Sequence, residues 1–101
     1  MEIKIHNDVE EFIKSLENQT VAKVLRTIDL LEQFGNRLGL PHSKGLGQGL
    51  FELRIRGQQE VRIFYIFYRN TVILLSGFVK KSNATPRHEL KRALDKKAVL
   101  T

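Results

Sequence analysis

Leu50-Phe-Glu-Leu-Arg-Ile-Arg56, then Glu60-Val-Arg-Ile-Phe-Tyr-Ile-Phe-Tyr-Arg69, then Thr71-Val-Ile-Leu-Leu-Ser-Gly-Phe-Val-Lys-Lys81, follow one another with only short polar breaks between them. Runs this rich in β-branched and aromatic residues, separated by Gly57-Gln58-Gln59 and by Asn70, predict three consecutive strands. Alternation sends Phe51, Leu53 and Ile55 to one face of the first and Glu52, Arg54 and Arg56 to the other. In the second, Val61, Ile63, Tyr65 and Phe67 share a face, with Arg62, Phe64, Ile66 and Tyr68 opposite. The third is apolar almost throughout, as expected of a strand covered on both sides. Turns this tight require antiparallel pairing.

On the N-terminal side, Glu2 to His6 alternates and predicts a short strand. Asn7 or Asp8 is placed to cap a helix, with Glu10 or Glu11 completing a capping box, and Val9, Phe12, Ile13 and Leu16 form its apolar stripe. Glu17 to Gln19 interrupts the pattern, and Thr20 is placed to cap a second helix. That helix has a stripe of Val21, Val24, Leu25, Ile28 and Leu31, with Gly35 as its stop. Two helices joined by so short a break are expected to pack as a hairpin on the sheet, since their stripes have nothing else to bury against.

Leu38 to Gly49 is expected to be a loop, punctuated by glycines at 39, 45, 47 and 49. Its glycines lack the Gly-Lys-Ser/Thr ending and the following helix of a phosphate-binding loop. Thr85 and Pro86 supply the cap and first turn of a last helix, with Leu90, Ala93 and Leu94 on its inner side and Lys91, Arg92, Lys96 and Lys97 on the rest. The expectation is one α+β domain over residues 1–101. Its predicted order is β-α-α-β-β-β-α, an antiparallel sheet packed against an N-terminal helical hairpin, with a C-terminal helix.

Composition narrows the chemistry. There is no cysteine, so disulfides and thiolate chemistry are excluded. His6, His42 and His88 fall in no ligand spacing and have no carboxylate pair beside them, so neither a metal site nor a cofactor is expected. No run approaches the length of a membrane span and the start lacks a signal-peptide core, so no membrane partner and a cytoplasmic location are expected.

The net charge of +6 is unevenly distributed. Residues 1 to 50 carry 6 basic and 7 acidic side chains, whereas residues 51 to 101 carry 11 and 4. Charge of one sign gathered in the strand region and the C-terminal segment suits an anionic partner, a nucleic acid or an acidic protein. Arg54, Arg56 and Arg62 are expected on one open sheet face, with Lys80 and Lys81 where the third strand leaves the sheet. Like charges on neighbouring strands repel by roughly 0.2–1 kcal/mol per close pair. Glu52 and Glu60 offset part of that; the alternatives are ordinary solvated residues on a half-exposed sheet, or a face that a phosphate chain fills. Phe64 and Tyr68, on the same face, are candidates to stack bases, with packing as the alternative duty for both. His42 and Lys44 are candidates to line the site from the preceding segment.

Leu40-Pro-His-Ser-Lys-Gly-Leu-Gly-Gln-Gly-Leu-Phe-Glu-Leu-Arg-Ile-Arg56, Val61-Arg-Ile-Phe-Tyr65, Leu75-Ser-Gly-Phe-Val-Lys-Lys81, and Thr85-Pro86 entering a Glu89/Leu90/Ala93 helix together resemble the phage-derived, HigB-like branch of the RelE/ParE toxins. The resemblance runs in order through nearly the whole chain. It implies the toxin of a type II toxin–antitoxin system, neutralised by a HigA-like helix-turn-helix antitoxin and reaching operator DNA through that partner. It also implies metal-independent cleavage of mRNA on the ribosome, with Arg54, Arg62, Lys80 and Lys81 in the catalytic positions and Arg56, Lys44, Phe64 and Tyr68 binding RNA.

Glu52 stands where RelE has a lysine, and the last helix lacks the tyrosine that RelE uses. Glu52, His42 and His88 are therefore the candidates for acid and base. Two other readings share the resemblance: a ParE-like inhibitor of DNA gyrase that is no nuclease, and a catalytically silent co-repressor that binds the antitoxin.

Overall fold

The computed structural model describes residues 1–100. The chain runs through strand β1 (Glu2–Ile5), helices α1 (Asn7–Lys14) and α2 (Asn18–Phe34), and a 3-10 turn at Gly35–Arg37. Strands β2 (Ser43–Gly47), β3 (Leu50–Ile55), β4 (Val61–Tyr68) and β5 (Thr71–Val79) follow, and helix α3 (Arg87–Leu100) ends it. The α+β class and the predicted order hold, with one strand added.

The sheet order is β1-β5-β4-β3-β2. The last four strands pair antiparallel with their neighbours, and β1 joins parallel to β5, Ile3 opposite Val72. At the β4–β5 turn both Arg69 and Asn70 have positive φ, the backbone of a two-residue hairpin.

The added strand is β2, which the sequence reading assigns to a loop. Its glycines carry no strand propensity, so pairing with β3 and one buried contact define it instead. Ser43, the first residue of β2, is buried, its hydroxyl 2.5 Å from the Tyr65 hydroxyl. Burial pushes the Tyr65 phenol above its ordinary pKa, and the bond to Ser43 opposes that rise. A register shift between Gly45 and Gly47 leads into a turn where Gly47, Gln48 and Gly49 all have positive φ. Glycine relieves that strain at two of the three positions.

The caps differ from expectation in three places. His6, through Nδ1, accepts the Asp8 N–H and caps α1. Helix α2 begins at Asn18, so Thr20 lies inside it and is buried. The Thr85 hydroxyl donates to Glu52 Oε2 at 3.3 Å and so ties the start of α3 to the sheet.

Apolar residues gather on both faces. Toward the hairpin, Val9, Ile13, Val24, Ile28 and Leu31 pack on Leu53, Ile55, Val61, Ile63, Tyr65, Val72 and Leu74. Toward α3, Leu50, Phe64, Ile66, Leu75 and Phe78 meet Ala93, with Leu90 and Leu94 at the margin.

A bulge in β5 keeps both sets in phase. Phe64 pairs with Ser76 but Tyr65 with Leu74, so Leu75 is the extra residue. Beyond the bulge Gly77 faces α1, where a Cβ would lie 2.6 Å from the Phe12 ring. No other residue lets that ring lie on the strand.

Candidate functional site

Arg54 and Arg62 are directly opposite each other on β3 and β4. Residues directly opposite on antiparallel strands project from the same face, so the two guanidinium groups start as neighbours. Glu52, two residues along β3, lies between them. Its Oε1 accepts from Arg54 Nε at 3.1 Å and lies 3.4 Å from Arg62 Nε. Its side chain is 2% exposed, that of Arg62 4% and that of Arg54 19%.

Arg62 is also held from its other end. Nη1 donates to Glu60 Oε2 at 3.1 Å and to the Val61 carbonyl at 3.3 Å. Nε lies within ion-pair range of Glu52 but is not aligned on it, and it has no hydrogen-bond partner. The guanidinium is therefore buried, doubly paired and short of one acceptor.

Over this end of the sheet lies an open basin of about 310 Å³ lined by Arg56, Glu60, Arg62, Lys80, Lys81, Ser82 and Asn83. The Lys80 N–H donates to the Glu60 carbonyl at 2.7 Å, which ties the end of β5 to the start of β4 and brings the lysines to the rim. Cations outnumber the single carboxylate on its wall. Such a basin can hold a phosphate or a run of phosphates by charge and by guanidinium geometry.

Four of the predicted residues, Arg56, Arg62, Lys80 and Lys81, thus share one concavity. Arg54 stands next to it on Glu52. Lys44 pairs in register with Glu52 on β2, and the Arg54 N–H donates to the His42 carbonyl at 2.8 Å, so β2 borders this face.

The rest of the predicted set is placed differently. Phe64 is fully buried, stacked on Phe78 with centroids 5.7 Å apart inside the cluster under α3. It is core and offers no face to a base. Tyr68 is six residues from Arg62, about 20 Å along the strand, and half-buried beside the same cluster with the Arg69 guanidinium over its ring.

Helix α3 is the physical reason for both corrections, because it covers a face that alternation alone leaves open. Glu52, a predicted acid or base, has both oxygens engaged, by Arg54 and Arg62 on one and Thr85 on the other. His88 is 81% exposed on α3, beside Glu89, and does not line the basin.

Glu60, Ser82 and Asn83 belong to the basin and are missing from the predicted set. The signal for Glu60 was available: it is two residues before Arg62 and so shares its side of the strand.

A second cavity, about 340 Å³, lies between β1, β5 and the end of α3, with Ile73, Leu75, Val99 and Leu100 among its walls. Beside it, Asp8 accepts from Lys96 at 2.6 Å and Arg92 at 3.0 Å. Hydrogen bonds from Lys96 and then Arg92 hold the Asp8 carboxyl at about 2, below its ordinary 3.8. Among the described residues no helix is long and apolar enough to cross a membrane.

Comparison with known proteins bears on the fold and the family. The family model described as phage derived protein Gp49-like (DUF891) matches residues 11–98. No curated protein matches the chain. Among solved structures, the free-state Escherichia coli toxin RelE, carrying two arginine-to-alanine substitutions, is similar with a TM-score of 0.69. It is 11% identical, and the match covers 94% of this chain and 95% of that one. The fold is RelE's.

Proposed function

The chain belongs to the phage-derived Gp49-like family, and on that premise we propose that it is the toxin of a type II toxin–antitoxin system, an endoribonuclease that cleaves mRNA on the ribosome. The observation that carries the reading is the basin: Arg56, Arg62, Lys80 and Lys81 around one concavity on a fold shared with a toxin. The HigB-like resemblance of the sequence adds a HigA-like helix-turn-helix antitoxin as partner, operator DNA through that partner, and a cytoplasmic setting.

The chemistry follows from what such a basin can do. RNA carries its own nucleophile, the 2′-hydroxyl, adjacent to the phosphate that is broken. Cleavage requires alignment of that attack, removal of the hydroxyl proton, and stabilisation of charge on the phosphate oxygens. Arg62 and Arg56 suit the last task, being permanently charged and matched to phosphate geometry. Lys80 and Lys81 supply further positive charge and a proton for the leaving oxygen. A ribosome that aligns the mRNA leaves few groups for the toxin to provide.

One observation favours a second reading. Arg54 and Arg62 are both paired with the internal carboxylate of Glu52, as expected of a charge network kept for structure. On that reading the chain is a silent, basic partner of its antitoxin.

Brief induction of the chain in growing cells, with primer extension on several mRNAs, separates the readings. New 5′ ends within translated frames, absent from a Lys80→Ala/Lys81→Ala variant, support the nuclease. Intact transcripts with no growth arrest support the silent partner. Intact transcripts with DNA damage would move the assignment to gyrase inhibition.

A further inference from the structure

Resting on the nuclease reading, a further question is which group takes the proton from the 2′-hydroxyl. That base must face the basin, be open to a ligand, and have lone pairs not already spent. Glu52 fails on the last two counts, being closed off and engaged at both oxygens. Neither His42 nor His88 lines the basin. Glu60 meets all three conditions. Its side chain is 37% exposed on the basin wall. Oε2 takes one bond from Arg62, and Oε1 takes none among the described residues. Its carbonyl, bonded to the Lys80 N–H, fixes the residue against the strand end that bears both lysines.

We propose that Glu60 is the general base, and that its pair with Arg62 holds the place of the substrate phosphate. In the resting chain the carboxylate occupies Arg62 Nη1, while Arg62 Nε is buried without a hydrogen bond. A phosphate entering among Arg56, Lys80 and Lys81 competes with that carboxylate for Arg62 Nη1 on the basin wall. The carboxylate is thereby freed of its partner beside the ribose that the phosphate joins.

The step balances without a cofactor. The 2′-oxygen forms a bond to phosphorus as its proton passes to Glu60. The bond from phosphorus to the 5′-oxygen breaks, and the departing electron pair is protonated by Lys80 or Lys81. The products are a 2′,3′-cyclic phosphate and a 5′-hydroxyl; Glu60 then gives its proton to water and the lysine takes one back from water, which restores both groups.

The test is single-turnover cleavage of mRNA on programmed ribosomes by the full chain, its Glu60→Gln variant and its Glu60→Asp variant, followed from about pH 5 to 9. Glu60→Gln is expected to slow the chemical step roughly 10²–10⁴-fold and to abolish the acid limb of the rate profile. The concentration giving half-maximal rate should stay the same or fall, since a charge that competes with phosphate has gone. Glu60→Asp should keep that limb and part of the rate.

Glu60→Gln cleaving within about threefold of the parent, with its acid limb intact, would overturn the assignment. Equal losses in both variants with an unchanged pH profile would also overturn it, leaving Glu60 as a group that only orients Arg62. If the parent itself leaves mRNA whole, the nuclease reading falls and this proposal with it. If the parent cleaves and Glu60→Gln keeps pace, only the base assignment falls.

Discussion

Apart from the buried Ser43–Tyr65 hydroxyl pair, the face of the sheet turned to α1 and α2 has an apolar centre, with Val61, Ile63, Tyr65, Val72 and Leu74 meeting Val9, Val24 and Leu31, all without solvent exposure. The face turned to α3 changes character along its length. Beneath the helix lie Leu50, Phe64, Ile66 and Leu75; Glu52 sits opposite Phe64, and one row further on Arg54 and Arg62 sit in line with Phe78. A two-helix layer closes the middle of its face, leaving Phe51, Phe67 and Val79 half-buried at the margins. A single helix with one fully buried residue, Ala93, closes part of one, and the remainder can keep charge. The lesson is that the site exists where the second layer runs out.

The sharpest way to break this comparison is to treat Phe64 as a surface residue and be proved right. Under α3 it is core, so Phe64→Ala should lose about 3–5 kcal/mol of stability by urea denaturation. A change within about 0.5 kcal/mol, as surface substitutions give, would return Phe64 to the candidates for base stacking.

Next in size is Arg62→Ala. The sequence places Arg62 on an open sheet face, whereas the structure buries it between Glu52 and Glu60. Removing one partner of a buried pair leaves a charge uncompensated and costs about 3–5 kcal/mol. Arg54 still pairs with Glu52, so the lower end is expected here. In a double-mutant cycle with Glu52→Gln the two losses should fall short of additive. Strict additivity would mean that Glu52 and Arg62 are neighbours and nothing more.

These two residues also show how far the sequence was legible. The hairpin face could be read because one period runs unbroken through Phe51-Leu53-Ile55 and Val61-Ile63-Tyr65, and because the stripes of α1 and α2 must meet it. Phe64 was assigned to the correct face but misjudged in exposure, since alternation says which side a residue takes and not what lies over it. The inner stripe of α3, Leu90, Ala93 and Leu94, was visible without any mark of where it docks.

The same limit applies to Glu60, which was credited with offsetting charge although its place on the basin wall depends on a β4–β5 contact distant in sequence. Strand β2 was hidden because Ser43-Lys-Gly-Leu-Gly47 has no propensity of its own and depends on β3 and Tyr65 for its shape.

A smaller effect tests the closed face. Gly77→Ala adds one methyl at a point 2.6 Å from the Phe12 ring. Overpacking a filled core costs about 1–3 kcal/mol. Pairing it with Phe12→Leu should recover part of the loss, measured again by denaturant titration. No loss in the single variant would show that α1 is free to shift on β5 and that this face is less tightly closed than its burial suggests.

The smallest effect concerns the tie between the two helical layers. Asp8 belongs to α1 and is held by Lys96 and Arg92 of α3, with Lys96 also donating to the Leu75 carbonyl at 2.9 Å. Its carboxyl is at about 2 in the folded chain against an ordinary 3.8. A carboxyl depressed by folding adds stability that is complete above its unfolded value and disappears as pH falls through its folded one. The tie should therefore hold α3 fully above 3.8 and release it progressively down to about 2. Amide exchange on α3 should speed up across that window relative to β4 and β5, with Asp8→Asn already fast at its upper end and insensitive to further acid. That variant separates Asp8 from Glu89 and Asp95 on the helix itself. An undiminished acid response in Asp8→Asn would mean that α3 is held by its apolar stripe alone, and that the two layers are joined through the sheet and not around it.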